Sequence, residues 1–177
     1  MGTPAVFFDR DGTLMVETVY CADPALVQVY PGVAEGLRKL RAAGFRTVVV
    51  SNQAGIGRAL ITEAQYQAVQ AELLTQIGEG LIDASYYCPD APWTPSTRRK
   101  PETGMVMEAA ADLNLDLARS YMVGDKAIDV ECGRRAGLTT IQVLTGYGAE
   151  QECAADHRVA DVAAAMELVL ATRSSAV

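Results

Sequence analysis

At 177 residues the chain is long enough for one domain with a sizeable core, and a composition that is half hydrophobic with no low-complexity run excludes a disordered polymer. The formal net charge of -7 argues against nucleic acid or an anionic membrane as the main partner, because both need clustered Lys and Arg. A phosphate-bearing substrate would have to be drawn in by a local cationic site.

The N-terminus lacks the charged-then-apolar pattern of a signal peptide, no window approaches a membrane span, and Val6 stands where a myristoylation signal wants Ser or Thr. Cys21, Cys88, Cys132 and Cys153 are scattered with no CxxC pair, which favours reduced thiols over a disulfide framework. The expectation is a cytoplasmic protein acting as a monomer.

The first element is the apolar run Val6-Phe7-Phe8, which reads as a strand buried on both faces and stops at Asp9-Arg10-Asp11-Gly12-Thr13. Ionised carboxylates at a core edge are costly unless a cation or donor pairs with them, and parallel sheets bind ligands just beyond their strand C-termini. A magnesium ion would satisfy both conditions. On this stretch alone a turn capped by Asp9 and Asp11 explains the residues equally well.

Residues 15–30 show little periodicity. Pro31-Gly32 then opens a helix with Val33, Gly36, Leu37 and Leu40 on one stripe, ended by Gly44. Thr47 to Val50 is a buried, β-branched strand running into the polar segment Ser51 to Arg58. Thr62 and Gln65 fit a capping box for a helix carrying Tyr66, Val69, Leu73 and Ile77, broken by Gly78 and Gly80. Ser85 to Tyr87 is a third short strand, and Pro89 to Pro101 a long loop holding Arg98, Arg99 and Lys100. Val106, Ala109, Ala110 and Leu113 mark a third helix.

Tyr121 to Val123 is a fourth strand, entering Gly124-Asp125-Lys126 and a helix over 128–136; Thr139 to Val143 is a fifth, followed by a loop over 145–148. Val162, Ala165, Met166, Val169 and Leu170 mark a last helix, after which residues 173–177 are expected to fray. One domain over 1–172 is expected. Five alternations of strand and helix predict an α/β protein, a Rossmann-like three-layer sandwich around a central parallel sheet. Asp9 and Asp11, Ser51 and Asn52, and Gly124-Asp125 each follow a strand, so all collect at one sheet edge, within reach of Arg99 and Lys100.

Three carboxylates, a hydroxyl and a lysine converging on one edge share a logic in phosphoryl transfer, which is mainly positioning and charge neutralisation. A carboxylate in line with phosphorus can act as nucleophile, and a second acid can protonate the leaving alkoxide and then deprotonate water. A rival of another class is a phosphate-binding module without turnover, like a receiver domain. A pure acceptor needs no second acid two residues after its nucleophile.

Asp9-Arg10-Asp11-Gly12-Thr13, Ser51, Lys100 and Gly124-Asp125 resemble, in order, the four motifs of the haloacid dehalogenase superfamily, over nearly the whole chain. The resemblance implies a haloacid dehalogenase-like phosphatase without a large cap domain, because neither the segment after Leu14 nor the one after Ser51 leaves room for one. It implies Asp9 as nucleophile, Asp11 as acid/base, Ser51 and Lys100 as phosphoryl stabilisers, and magnesium held by Asp9, the Asp11 carbonyl and Asp125. Ser51 to Ile56, Arg99-Lys100-Pro101 and Gly124-Asp125-Lys126 are similar to the heptose-bisphosphate phosphatases, with the histidinol-phosphatases as nearest cousins. That resemblance gives Tyr20, Asn52, Gln53 and Arg99 substrate-binding roles and a small sugar phosphate as substrate.

Two departures stand out. The cousins hold a structural zinc on Cys-x-His and Cys-x-Cys pairs, whereas only Cys88 remains here, so no zinc is expected and Pro89, Pro92, Pro95 and packing of Trp93 are expected to hold the loop. Met15, Glu17, Thr18 and Val19 stand where the heptose enzymes tend to carry Asn, Asp, His and Gly. Of the remaining polar residues, Asp129 is expected to orient Lys126 or its helix start, and Arg58 to contact substrate or sit in a surface salt bridge.

Overall fold

The computed structural model of the protein describes residues 2–174, the last two by their backbone alone. Its strands are β1 (Ala5–Phe8), β2 (Arg46–Asn52), β3 (Ala84–Cys88), β4 (Tyr121–Gly124), β5 (Thr139–Val143) and β6 (His157–Val159), and its helices α1 (Val33–Ala42), α2 (Ala54–Gly57), α3 (Glu63–Ile77), α4 (Gly104–Asp112), α5 (Ala127–Arg135) and α6 (Val162–Ser174). The strands form one parallel sheet in the order β3-β2-β1-β4-β5-β6.

Side chains alternate across a strand, and β1 is apolar at every position, so it feeds two cores at once. Val6 and Phe8 pack with Leu37 of α1, Leu73 of α3 and Met166 of α6. Ala5 and Phe7 pack on the opposite face with Val106 of α4 and Cys132 of α5. The result is the expected Rossmann-like sandwich with helices on both faces. The chain walks outward from β1 to β3, then returns to lay β4 against β1's free side. Strand order reverses there, which opens a crevice at the C-terminal edge beside β1 and β4.

The segment after β1 stays close to it: Tyr30 N–H bonds Leu14 O at 3.0 Å and Val16 N–H bonds Gln28 O at 2.9 Å, leaving a short excursion rather than a cap domain. Among the described residues no helix is long and apolar enough to cross a membrane.

Two elements depart from the expected order. The polar stretch after β2 contains the one-turn helix α2, whose Ala-Gly-Ile-Gly sequence has no helical signature. After β5 the chain crosses by a loop, not a helix, to a sixth strand, β6, before α6. Its His-Arg-Val sequence is too short and polar to read as a strand; Asp156 docks it by accepting from the N–H and Oγ1 of Thr140, each at 2.8 Å. The expected fraying at 173–177 lies, from 175 onward, outside the described residues.

Candidate active site

The crevice places Asp9, Asp11, Ser51, Asn52, Lys100 and Asp125 together, as their strand-end positions require. Asp9 continues β1's line, its N–H bonding Val123 O at 2.9 Å, so its buried carboxylate stands directly at the crevice floor. Gly12 then turns the chain at φ 86°, and a Cβ there would lie 2.5 Å from Asp125 Oδ2.

Lys100 reaches this floor from a different part of the chain. Asn52 grips its backbone with both amide atoms, Nδ2 donating to Lys100 O at 3.0 Å and Oδ1 accepting from Lys100 N–H at 2.9 Å. Thus anchored, the buried Nζ lies 2.7 Å from Asp9 Oδ1, 2.7 Å from Asp129 Oδ1 and 2.8 Å from Val50 O. Asp129 uses its other oxygen to accept from Lys126 N–H at 3.0 Å, capping α5 as expected while also bracing Lys100.

A second network holds Asp11. Arg10 is wholly buried, and its Nε and Nη2 donate to Asp11 Oδ2 and Oδ1 at 3.0 and 3.2 Å. Gln53 Nε2 donates to Asp11 Oδ2 at 2.8 Å and to Ser51 Oγ at 2.6 Å, while its Oε1 accepts from Arg10 at 3.2 Å. Gln53 therefore ties Asp11 to Ser51. Arg10 was not singled out by sequence reading; an arginine at the end of a strand buried on both faces was the available signal, since such a position leaves it no route to water.

Burial pushes the Asp9, Asp125 and Asp129 carboxyls upward, and the neighbouring cations pull them back. For Asp9 the burial penalty is outweighed by Lys100 and Lys126, which hold it below the usual carboxylate range. Asp125 is pushed up to about 8 by burial and by the neighbouring Asp9 and Asp129 carboxylates. Asp129 is raised by burial, against the pull of Lys100. Lys100 is itself raised, its burial penalty exceeded by Asp129 and Asp9.

Such a crowd of acids fits a hard cation. Asp9, Asp125 and Asp129 each offer a carboxylate oxygen within 4.8 Å of the others. Asp125 Oδ2 accepts from Tyr147 N–H at 2.8 Å, but its buried Oδ1 has no hydrogen-bond partner among the described residues. An all-oxygen donor set with an orphaned carboxylate oxygen is what Mg2+ takes. The Asp11 carboxylate is turned to Arg10 and Gln53 and is not part of this group.

Above the floor lies a cavity of about 350 Å3, lined by Glu17, Tyr20, Gln53, Arg99, Lys126 and Tyr147 among others. Its size suits a small phosphorylated metabolite. Lys126 Nζ pairs with Glu17 Oε2 at 3.2 Å and lies 4.9 Å from the Tyr147 ring centroid. Arg99 donates to Asp90 O at 3.2 Å.

Trp93 is 71 % exposed and does not hold the loop over 89–100, contrary to expectation. Polar contacts hold it instead. Cys88 Sγ lies 3.3 Å from Asp90 Oδ2 and 3.5 Å from Ser96 Oγ, and that hydroxyl accepts from the N–H groups of Arg98 and Arg99 at 3.3 Å each.

The HAD-hydrolase-like family model matches residues 97–167. The chain is 39 % identical to the D-glycero-D-manno-heptose-1,7-bisphosphate 7-phosphatase of Thermosynechococcus vestitus, over 96 % of each chain. It is 37 % identical to the D-glycero-beta-D-manno-heptose-1,7-bisphosphate 7-phosphatase of Escherichia coli K12, over 86 % of each. Among solved structures, the D,D-heptose 1,7-bisphosphate phosphatase of B. bronchiseptica, complexed with magnesium and phosphate, superposes with a TM-score of 0.86 at 28 % identity, covering 96 % of this chain and 99 % of that one.

Proposed function

The chain belongs to the haloacid dehalogenase-like phosphatases and is a phosphoric monoester hydrolase, and on that premise we propose that it releases the 7-phosphate of D-glycero-D-manno-heptose 1,7-bisphosphate through an aspartyl-phosphate at Asp9. The observation that carries the catalytic assignment is the buried Asp9 carboxylate, pinned at Oδ1 by Lys100 beside the orphaned oxygen of Asp125. The substrate rests on the names of the relatives.

Lys100 fixes Oδ1 and leaves Oδ2 of Asp9 to attack phosphorus. As the new P–O bond forms, the bond to the sugar oxygen breaks, and Asp11 gives that alkoxide a proton. Asp11 then takes a proton from water, whose oxygen attacks the phospho-enzyme; the Asp9–phosphorus bond breaks and inorganic phosphate leaves. Ser51 and Lys100 hold the remaining phosphoryl oxygens, and Gln53 keeps Ser51 and Asp11 in register. Asp9 and Asp125, with the Asp11 carbonyl, would hold magnesium, which when bound neutralises charge on the transferring group. Arg99 and Tyr20 face the sugar.

The reading carries with it a monomer without zinc in the cytoplasm, and the location accords with Cys21, Cys88 and Cys132 standing buried outside any disulfide. Phosphate release with magnesium, measured on the heptose bisphosphate and on histidinol phosphate, tests it. Preference for the heptose ester and loss of turnover in Asp9→Asn are expected; retained turnover in that variant would assign the nucleophile elsewhere.

A further inference from the structure

We propose that Arg58, whose guanidinium lies over the rings of Trp93 and of the cavity-lining Tyr20, reads a second anionic group on the substrate, distinct from the phosphate that is cleaved. The proposal rests on the reading of the chain as a phosphatase of a doubly phosphorylated sugar, and it assigns a residue that this reading leaves unused.

Charge pairing singles Arg58 out. Around the cleft Lys126 is taken by Glu17, Arg10 by Asp11 and Arg98 by Glu108; among the described residues Arg58 and Arg99 have no carboxylate partner, and Arg99 is spent on the Asp90 carbonyl. Its guanidinium carbon lies 5.2 Å from the Trp93 ring centroid and 6.0 Å from that of Tyr20, which is within cation–π range. Rings that hold a guanidinium leave donor N–H groups free for a phosphate, which the flat fork matches in a bidentate way. A lone surface arginine lacks that preorganisation.

The frame is attached to the site on both sides. Tyr20 lines the cavity, and its ring lies against Gly55, where a Cβ would come within 2.8 Å of Cδ1. Val19 and Tyr20 sit at φ 47° and 55°, a left-handed conformation that is costly for a β-branched residue. Glu17 holds that turn by accepting from Val19 N–H at 2.9 Å. Opposite, Gly57 N–H, one residue before Arg58, bonds Pro89 O at 2.8 Å, while Arg99 bonds Asp90 O, so the turn carrying Arg58 and the Arg99 side chain meet adjacent residues of one loop. In a protein of net charge -7, cations at the mouth are also what draws a polyanion inward.

The test compares kcat/KM for the heptose 1,7-bisphosphate with that for the 7-monophosphate, in the wild type, Arg58→Ala and Arg58→Lys. The ratio cancels any loss of folded enzyme. A preference for the bisphosphate that falls about tenfold or more in Arg58→Ala, carried by KM, with part returned by Arg58→Lys, is expected from losing a charge-assisted bidentate contact. An unchanged ratio overturns the proposal. Trp93 is the only tryptophan, so its emission in Asp9→Asn gives a readout free of turnover. Fructose 1,6-bisphosphate should perturb it at lower concentration than fructose 6-phosphate, and Arg58→Ala should remove the difference. If no heptose ester is hydrolysed, the substrate assignment fails; the rim then stands or falls on that emission difference.

Discussion

Lys100→Met removes the cation in direct contact with Asp9 and Asp129 while keeping the stem's volume. Its Nζ lies 2.7 Å from carboxylate oxygens of both Asp9 and Asp129, and its side chain is 1 % exposed. Breaking a buried ion pair from one side costs about 3–5 kcal/mol, because a charge is left uncompensated out of water. In a protein of this size each kcal/mol shifts Tm by roughly 2–4 °C, so metal-free variant at pH 7.5 should melt about 6–20 °C below the wild type. The loss must depend on pH. In the wild type Asp9 is held below its ordinary value, so its contribution is present above the unfolded pKa and disappears as pH falls through the folded one. Without Lys100 the burial penalty on Asp9 is opposed mainly by Lys126; the cost of the substitution is then full at neutral pH and shrinks on acidification as the carboxyls take up protons. Thermal unfolding followed by circular dichroism in EDTA, at several pH values, measures this. A Tm loss below about 2 °C at pH 7.5, or one that grows on acidification, would refute the electrostatic reading.

Magnesium should raise the wild-type Tm, by about 2.7 kcal/mol of stability at a hundredfold excess over Kd, and this gain should vanish in Asp125→Asn; an undiminished gain there would move the ion elsewhere. Asp83, which burial raises but Arg41, Thr47 and Arg46 hold below its ordinary value, adds stability above the unfolded pKa that is lost as pH falls through the folded one. Asp83→Ala should cost about 1–3 kcal/mol at pH 7, by urea unfolding, and progressively less as pH falls below the ordinary carboxylate range; a pH-independent cost would contradict the assignment. Metal analysis of purified protein should find no stoichiometric zinc, and one equivalent bound would mean the loop contacts of Cys88 were misassigned.

Much of the site was legible because its signals are local. Apolar runs ending in Asp9, Ser51 and Asp125 mark strand ends, and a parallel sheet gathers strand ends at one edge whatever else the chain does. Helices α1 and α3 were equally plain, from the stripes of Leu37, Leu40, Leu73 and Ile77. α2 and β6 were not, since an element of three or four residues carries too few positions to show a period.

Pairing across long stretches of chain was decided by the tertiary structure alone. Lys100 meets an aspartate 91 residues away, and Gln53, which also lines the cavity, bonds Arg10, Asp11 and Ser51. The exposure of Trp93, and its placement with Tyr20 around Arg58, likewise follows from where two loops come to rest. Strand order and residue type determined which groups gather at the edge; which oxygen each nitrogen holds is set by packing, because hydrogen bonds act over about 3 Å and no sequence pattern specifies distance at that scale.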